Sequence, residues 1–179
     1  MRKSFYFFVS LVVLAGSLAS CDWLQGSSDH SPEIYVSYFY VNPVLDGDSV
    51  ISAKDTLGLY YHSLDQSYRM DSLAFGDTVF FVSTYYTYEQ PLISVTADWE
   101  KDRMDYVMEI NDSIAQHLSE DSDIASCKLY FNPGFNRVTF PNWFTAKEYG
   151  ILPLKLTVTS TSQFSPSSVY ITIPIKRPE

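Results

Sequence analysis

Histidine and serine are the residues in this sequence most able to carry metal or nucleophilic chemistry, and their spacing matches no known pattern. His30, His62 and His117 lie far apart, and none has a second histidine or cysteine within five residues, so no zinc site is predicted. A serine nucleophile would favour a Gly-x-Ser-x-Gly turn, and the sequence has none. We therefore expect no catalytic residue, no metal and no cofactor.

Two acidic turns have the oxygen-rich composition that can bind calcium. Their residues are Asp46 and Asp48, and Glu120, Asp121 and Asp123. Calcium takes six to eight oxygen ligands, and neither turn matches the complete loop of a helix-loop-helix calcium site. Solvated turn residues are the favoured interpretation.

A further group of carboxylates has the residue types that glycoside hydrolysis uses. They are Asp98, Glu100, Asp102 and Asp105. Glycosidases need two carboxyl groups at a set separation across the sugar, and spacing along the chain does not give that separation. A small envelope hydrolase that uses Asp98 and Glu100 is therefore kept as an alternative function.

Aromatic residues are unusually frequent, with 14 Tyr, 12 Phe and 3 Trp in 179 residues. In residues 85–88, 60–61 and 142–144 some rings must point away from a single core. Exposed rings flanked by Asp and Asn suit stacking on sugars or packing against another protein. The alternative is that tyrosine simply favours the faces of strands. Tyr86, Tyr88 and Trp143 are the predicted ligand-binding residues.

The N-terminus has the layout of a cleaved secretion signal. Arg2 and Lys3 precede an apolar run over residues 5–15, which is shorter than the roughly 20 residues that cross a bilayer. The run ends in Leu18-Ala19-Ser20-Cys21, which resembles the lipobox of bacterial lipoproteins. The resemblance implies removal of residues 1–20 and lipidation of Cys21 with diacylglycerol, usually with a third acyl chain in diderm bacteria. Several acyl chains anchor a protein firmly to a membrane.

Residues 21–32 are rich in Gly, Ser and Pro and are predicted to form a tether to a domain over residues 33–179. The acidic, Tyr- and Phe-rich domain resembles small envelope lipoproteins of the Bacteroidota. That resemblance implies a cell-envelope location, anchored to the outer membrane on its periplasmic or surface face. Asp22 resembles an inner-membrane retention signal of enterobacterial lipoproteins, so the leaflet stays open.

The charge of the chain excludes one class of partner. Without Arg2 and Lys3, ten of the twelve basic residues remain against 21 acidic ones, a net charge of −11. Nucleic-acid binding needs a basic stripe, and the remaining lysines and arginines are scattered. Nucleic acid is therefore not an expected partner, and the acyl chains are the expected membrane contact.

Cys127 would be a lone thiol if Cys21 carries lipid. It alternates with Leu129 and Phe131 in the sequence, which is typical of a buried small apolar residue. A reactive thiol is the alternative interpretation.

Period-two alternation predicts strands through most of the domain. Residues 152–158 and 169–175 are expected to pair as an antiparallel hairpin, with Pro174 on an edge strand or at a bulge. Residues 104–110 fit either a strand or a helix, and Ser113 with Gln116 forms a candidate capping box for one short helix.

The resulting seven to nine short strands are typical of a two-sheet antiparallel sandwich. Residues 75–79 and 148–158 resemble strand entries of bacterial Ig-like domains, and in that resemblance Tyr149 is a candidate tyrosine-corner residue. We therefore predict an all-β, Ig-like sandwich with at most one short helix. The expected function is a non-catalytic binding or assembly domain for a glycan or another envelope protein. A purely structural spacer is a further alternative, which predicts no exposed aromatic cluster.

Overall fold

The structure is a computed structural model that describes residues 29–47, 49–62, 64 and 67–177. Cys21, the predicted signal peptide and most of the predicted tether lie outside the described residues. In the described part, no helix is long and apolar enough to cross a membrane.

The described residues form fifteen strands, which we number in chain order. They are β1 (Glu33–Val36), β2 (Phe39–Val41), β3 (Val44–Asp46), β4 (Ser49–Ser52), β5 (Asp55–Leu57), β6 (Tyr60–His62), β7 (Ser67–Arg69), β8 (Leu73–Ala74), β9 (Thr78–Tyr86), β10 (Leu92–Trp99), β11 (Met104–Met108), β12 (Lys128–Tyr130), β13 (Arg137–Ala146), β14 (Gly150–Ser160) and β15 (Ser167–Lys176).

Two large sheets face each other, and a small hairpin stands apart from them. Sheet 1 has the order β11-β13-β9-β2-β5, with β1 also paired to β9. Sheet 2 has the order β12-β10-β14-β15-β7-β6, with β8 also paired to β15. Strands β3 and β4 form the separate hairpin, whose turn contains Gly47 at a φ of +57°. This positive φ favours glycine.

The strand partition confirms the predicted all-β, Ig-like sandwich. In Ig-like domains the second and fifth strands lie in one sheet, and the third, sixth and seventh lie in the other. In this fold β9 and β13 take the places of the second and fifth strands and pair in sheet 1. The strands β10, β14 and β15 take the places of the third, sixth and seventh, and they are consecutive neighbours in sheet 2. Most pairings are antiparallel, but β7 and β8 run parallel to β15.

The core lies between the sheets and follows the alternation of the sequence. In β9, Val79, Phe81 and Tyr85 are buried, and the Phe81 ring stacks on Phe39 with centroids 4.6 Å apart. Sheet 2 contributes buried side chains of β14 and β15, which are Leu152, Leu154, Leu156, Val158, Ile171, Ile173 and Ile175. Burial of large aromatic and branched side chains drives the two sheets together. Cys127 is buried here as a free thiol, and burial raises its pKa.

An amide inside sheet 1 was not anticipated from the sequence. Asn142 is fully buried. It accepts from the Tyr106 hydroxyl at 2.6 Å, and it donates to Ser83 Oγ at 2.9 Å and to the Phe140 carbonyl at 2.7 Å. These bonds offset the cost of burying the amide.

The structure decides between the two alternatives for residues 104–110 and corrects the predicted helix cap. Residues 104–108 form strand β11, and the α-helix α1 (Asp112–Ala115) begins after Asn111, whose side chain accepts from the Ile114 N–H at 2.9 Å. The capping residue is therefore Asn111, because Ser113 already lies inside the helix. A 3-10 helix follows at Ile124–Ser126.

Pro174 and Tyr149 also differ from expectation. The predicted hairpin of β14 and β15 is confirmed, but β15 is an internal strand. Its parallel partners contact residues 171–172 and 175–176 and skip Pro174, so the missing N–H removes no ladder bond there. Tyr149 is 41% exposed and packs on Phe75 with centroids 4.8 Å apart, so it is not a buried corner residue.

Candidate binding surface

The described residues bring together a group of aromatic and charged side chains at one end of sheet 1, which we call the tyrosine cluster. Its members are His30, Glu33, Tyr35, Tyr86 and Tyr88. Strand pairing positions them, because Glu33 lies opposite Tyr86 and Tyr35 lies opposite Thr84 in the β1–β9 ladder. Residues opposite each other in a ladder share one face of the sheet.

The face they share is the outer one. Successive side chains of a strand point to opposite sides, and Tyr85 is fully buried in the core. Tyr86 and its cross-strand neighbour Glu33 therefore point away from the core. Tyr88 follows the end of β9 and is 40% exposed, while Tyr35 is 58% exposed.

Glu33 joins two of the tyrosines through hydrogen bonds. The Tyr88 hydroxyl donates to Glu33 Oε1 at 2.7 Å, and the Tyr35 hydroxyl donates to Oε2. The Tyr86 and Tyr88 ring centroids lie 5.0 Å apart with the rings inclined at 67°, and the His30 ring lies 4.6 Å from Tyr88. The Glu33 carboxylate thus bonds to a tyrosine that is 55 positions away in the chain.

The same bonds fix the protonation states of the cluster. The hydrogen bonds from Tyr35 and then Tyr88 lower the pKa of Glu33. The hydrogen bond to Glu33 raises the pKa of Tyr88 to about 12 and raises the pKa of Tyr35. At neutral pH the cluster therefore has one negative carboxylate and neutral phenols.

A cation on the next strand, and a pair of hydroxyls shared between that strand and β9, flank the cluster. Arg137 of β13 lies opposite Tyr86, on the side away from Glu33. The Thr84 and Thr139 hydroxyls are 2.9 Å apart on the same outer face. The surface therefore continues across three strands.

A cavity of about 500 Å³ adjoins the cluster beyond β1. Tyr35 lines both the cavity and the cluster, and Tyr38, Gly58 and Tyr68 lie around the same space. In the described residues β1 has a paired strand on its β9 side only. The tyrosine-rich surface thus extends from the cluster to the open edge of sheet 1.

The three predicted ligand-binding residues do not share one patch. Tyr86 and Tyr88 are neighbours, but Trp143 lies opposite Phe80, six residues from Tyr86 along β9. At about 3.3 Å per residue this separation is roughly 20 Å. The Trp143 ring packs against Phe80 with centroids 4.8 Å apart, and its Nε1 atom is buried without a partner among the described residues.

A second, more apolar cavity lies near Phe80 on the outer face of sheet 1. Its volume is about 820 Å³, and it is bounded by the β3–β4 hairpin on one side and by the segment after β11 on the other. Its apolar lining includes Leu45, Phe80, Val82, Val107, Ile110 and Ile124.

The carboxylates of the hydrolase alternative lie on β10, on β11 and in the turn between these strands. Asp98 lies opposite Lys155 on the outer face of sheet 2, and Asp105 is on the outer face of sheet 1, paired with Lys147 at 2.6 Å. Glu100 contacts the Arg103 guanidinium at 2.5 Å. Asp98 and Asp105 therefore lie on the outer faces of opposite sheets.

The acidic turns have structural contacts instead of a metal-like arrangement. The Asp123 side chain accepts from the Ser126 N–H at 3.1 Å at the start of the 3-10 helix. Asp48 lies outside the described residues. Within the described ranges, no group of three or more His, Cys, Asp or Glu side chains could hold a metal ion.

Three other rings of the described residues lie beside cations of the chain itself. Lys155 Nζ is 5.2 Å from the Tyr170 centroid, and Arg177 Cζ is 5.7 Å from that of Tyr149. Lys101 Nζ is 5.2 Å from the Trp99 centroid. The tyrosine cluster differs, since its central charge is an anion.

Comparison with known proteins identifies no family. No protein-family model matches the chain, and no curated protein matches its sequence. Among solved structures, the chain is similar to a family 123 glycoside hydrolase from Clostridium perfringens, with a TM-score of 0.37 and 9% identity. The match covers 82% of this chain and 28% of that chain, and similarity at this level supports no inference about activity.

Sequence patterns drew attention to Tyr86 and Tyr88 but not to Glu33, Tyr35 or His30. Glu33 and Tyr35 alternate with apolar residues at the start of the domain, which was a signal that they share a face. The sequence contains no signal that β1 pairs with the end of β9, and this pairing creates the cluster.

Proposed function

We propose that this chain is a lipid-anchored protein of the cell envelope whose sandwich is a non-catalytic binding or assembly domain. The tetrapeptide Leu18-Ala19-Ser20-Cys21 supports the anchor. The lipid on Cys21 is the membrane contact, and a glycan or another envelope protein is the partner of the domain. The proposed location is the outer membrane, on its periplasmic or surface face.

The observation that carries the binding role is the grouping of Tyr35, Tyr86 and Tyr88 around one carboxylate on an exposed face. A spacer domain requires no such group. Tyrosine offers a large rigid contact area with a polar end, and it is enriched in interfaces for that reason. Because a strand pair and hydrogen bonds hold the rings, little conformational entropy is lost on binding.

Binding is tested with the full chain on glycan arrays and in pull-down experiments from envelope extracts. The double variant Tyr86→Ala/Tyr88→Ala is expected to lose at least tenfold in affinity for whatever the wild type retains. Tyr170→Ala is the matched control, because Tyr170 is an exposed strand tyrosine on the opposite sheet. Equal loss in both variants, or retention in the double variant, would contradict the assigned surface.

The anchor is tested separately through Cys21. The wild type is expected to incorporate labelled palmitate and to remain in the membrane fraction, whereas Cys21→Ser is expected to do neither. Cys127→Ser is the control, since that thiol is buried in the core. Membrane retention of Cys21→Ser without label would refute the anchor.

A further inference from the structure

The hydrogen-bonding pattern of the tyrosine cluster restricts the chemistry of its ligand. Tyr35 and Tyr88 both donate their hydroxyl hydrogens to Glu33. A phenol has one donor hydrogen, and an ionised carboxylate has none. At its centre the cluster therefore offers oxygen lone pairs and aromatic faces, both of which favour a positively charged or donating group.

The electrostatics of the cluster agree with this restriction. An ionised carboxylate repels anions, and the faces of aromatic rings attract cations through their quadrupoles. Elsewhere in the described residues, Tyr170, Tyr149 and Trp99 lie near Lys or Arg side chains of the chain itself. No lysine or arginine of the described residues lies over the rings of Tyr35, Tyr86 or Tyr88 in this way.

Two neighbouring groups bear on the charge of the site. The His30 ring contacts Tyr88 and has a favourable electrostatic interaction with Glu33. Arg137 lies beyond Tyr86 on the flank opposite Glu33. Arg137 is therefore not on the Glu33 side of Tyr86, where a ligand cation would contact the carboxylate.

We propose that the tyrosine cluster binds an organic ammonium group, primary or quaternary, carried by a small molecule or by a zwitterionic lipid headgroup. Quaternary ammonium groups are recognised by sets of aromatic faces, and a nearby carboxylate supplies the counter-charge. The cluster begins at residue 30, nine residues after the proposed anchor at Cys21, so the chain between them spans at most about 30 Å. The inference rests on the proposed binding function in one respect, because it assigns the ligand to the same surface.

The first test uses the full chain in a non-ionic detergent with selectively labelled tyrosine rings. Choline and tetramethylammonium are titrated against the neutral isostere of choline, in which a tert-butyl group replaces trimethylammonium. The expected result is saturable shifts of the Tyr35, Tyr86 and Tyr88 resonances, with at least tenfold weaker binding of the isostere. Equal binding of the isostere, or no saturable shift, overturns the inference.

The variants separate charge from shape. Glu33→Gln keeps the size of the side chain and removes its charge. It is expected to weaken choline binding about tenfold, because one ionic contact is lost. Arg137→Gln is expected to strengthen it about twofold by removing a competing positive charge. Tyr170→Ala should bind as the wild type does. If Glu33→Gln does not fold, Tyr88→Ala replaces it, and unchanged binding in the folded variant refutes the site.

Nanodiscs distinguish the two sources of the ammonium group. If a headgroup is the natural ligand, the ring resonances shift in phosphatidylethanolamine discs but not in phosphatidylglycerol discs, and added choline has little further effect. If a small molecule is the ligand, choline shifts the resonances equally in both. Failure of all ammonium probes, with glycan or envelope binding still dependent on Tyr86 and Tyr88, would refute this inference and leave the proposed function standing. Loss of both would refute both.

Discussion

Glu33 and Asp77 lie near opposite ends of strand β9, and both are carboxylates held by several hydrogen bonds. Asp77 is 8% exposed and accepts from Asn42 Nδ2 at 2.7 Å, Lys54 Nζ at 2.8 Å and the Ala74 N–H at 3.0 Å. Glu33 lies on an exposed face and accepts from two tyrosines. One carboxylate connects three loops of the fold, and the other organises a surface.

The difference shows how burial changes what a bonded carboxylate contributes to stability. Burial alone would raise the pKa of Asp77, but the bonds from Lys54, Asn42 and Ala74 outweigh it and hold the pKa below its ordinary value. Removing Asp77 takes one shared acceptor at a buried position away from three donors, which is costly. Around Glu33, water can replace a lost bond, so changes should alter binding and leave stability nearly unchanged.

The largest expected effect is the loss of stability in Asp77→Ala. This variant leaves Asn42, Lys54 and the Ala74 N–H without their acceptor, and it should lower the free energy of unfolding by about 3 kcal/mol. Urea denaturation measures the change. Lys54→Met is the control and should cost about 1 kcal/mol, because Lys54 is mostly exposed. Equal effects of the two variants would show that the network is not centred on Asp77.

The pH dependence of stability should follow from the same carboxylate. Because the folded pKa of Asp77 is lowered from 3.8, its contribution is present above that value and is lost as the pH falls through the folded pKa. We expect the free energy of unfolding to drop between about pH 5 and about pH 2. This is the interval in which an aspartate with a lowered folded pKa loses its contribution to stability. Asp77→Asn should flatten this drop. A profile identical to the wild type would assign the drop to other carboxylates.

Tyr88 should titrate at an unusually high pH because of Glu33. Its pKa is raised to about 12, and in Glu33→Gln it should return towards the ordinary value of 10.0. The change is measured from the ring resonances of Tyr88 between about pH 8 and about pH 12.5, which is the range in which phenols titrate. Tyr170, on the opposite sheet, is the internal reference. An unchanged Tyr88 titration in the variant would show that the Glu33 bond does not form in solution.

The smallest expected effect is that of Glu33→Gln on stability. Because the carboxylate and its tyrosine partners are solvent-accessible, the free energy of unfolding should change by less than about 0.5 kcal/mol. The same urea experiment as for Asp77→Ala measures it. A loss comparable with that of Asp77→Ala would make Glu33 a structural residue and would remove the contrast between the two ends of β9.

The strands of the domain were largely predictable because alternation is a local property. Residues 152–158 and 169–175 show their inward faces directly in the sequence, and their short connection predicts their pairing. Residues 34–41 were less predictable, because they form two strands, β1 and β2. Ser37 interrupts them, donating its N–H to the Val82 carbonyl at 2.9 Å while its hydroxyl accepts from the Val82 N–H at 2.8 Å.

The candidate site was predictable only in part, because the sequence shows only local properties. Tyr86 and Tyr88 stand out as an aromatic run, but Trp143, chosen on the same grounds, lies on a different part of the sheet. The bonds of Asp77 and Asn142 were not predicted, because most of their side-chain partners lie far away in the chain. Amphipathic periodicity identifies a face of one strand but does not identify the neighbouring strand.

The sequence by itself determined the strand periodicity, the turn at Gly47, the burial of Cys127 and the lipobox-like segment that ends at Cys21. These features depend on residues within a few positions of one another. Only the tertiary structure decided that β1 pairs with the end of β9, so that Glu33 meets a tyrosine 55 residues away. The reason is that strand pairing over such distances is selected by the packing of the whole sandwich, and a local segment contains too few of those contacts to specify it.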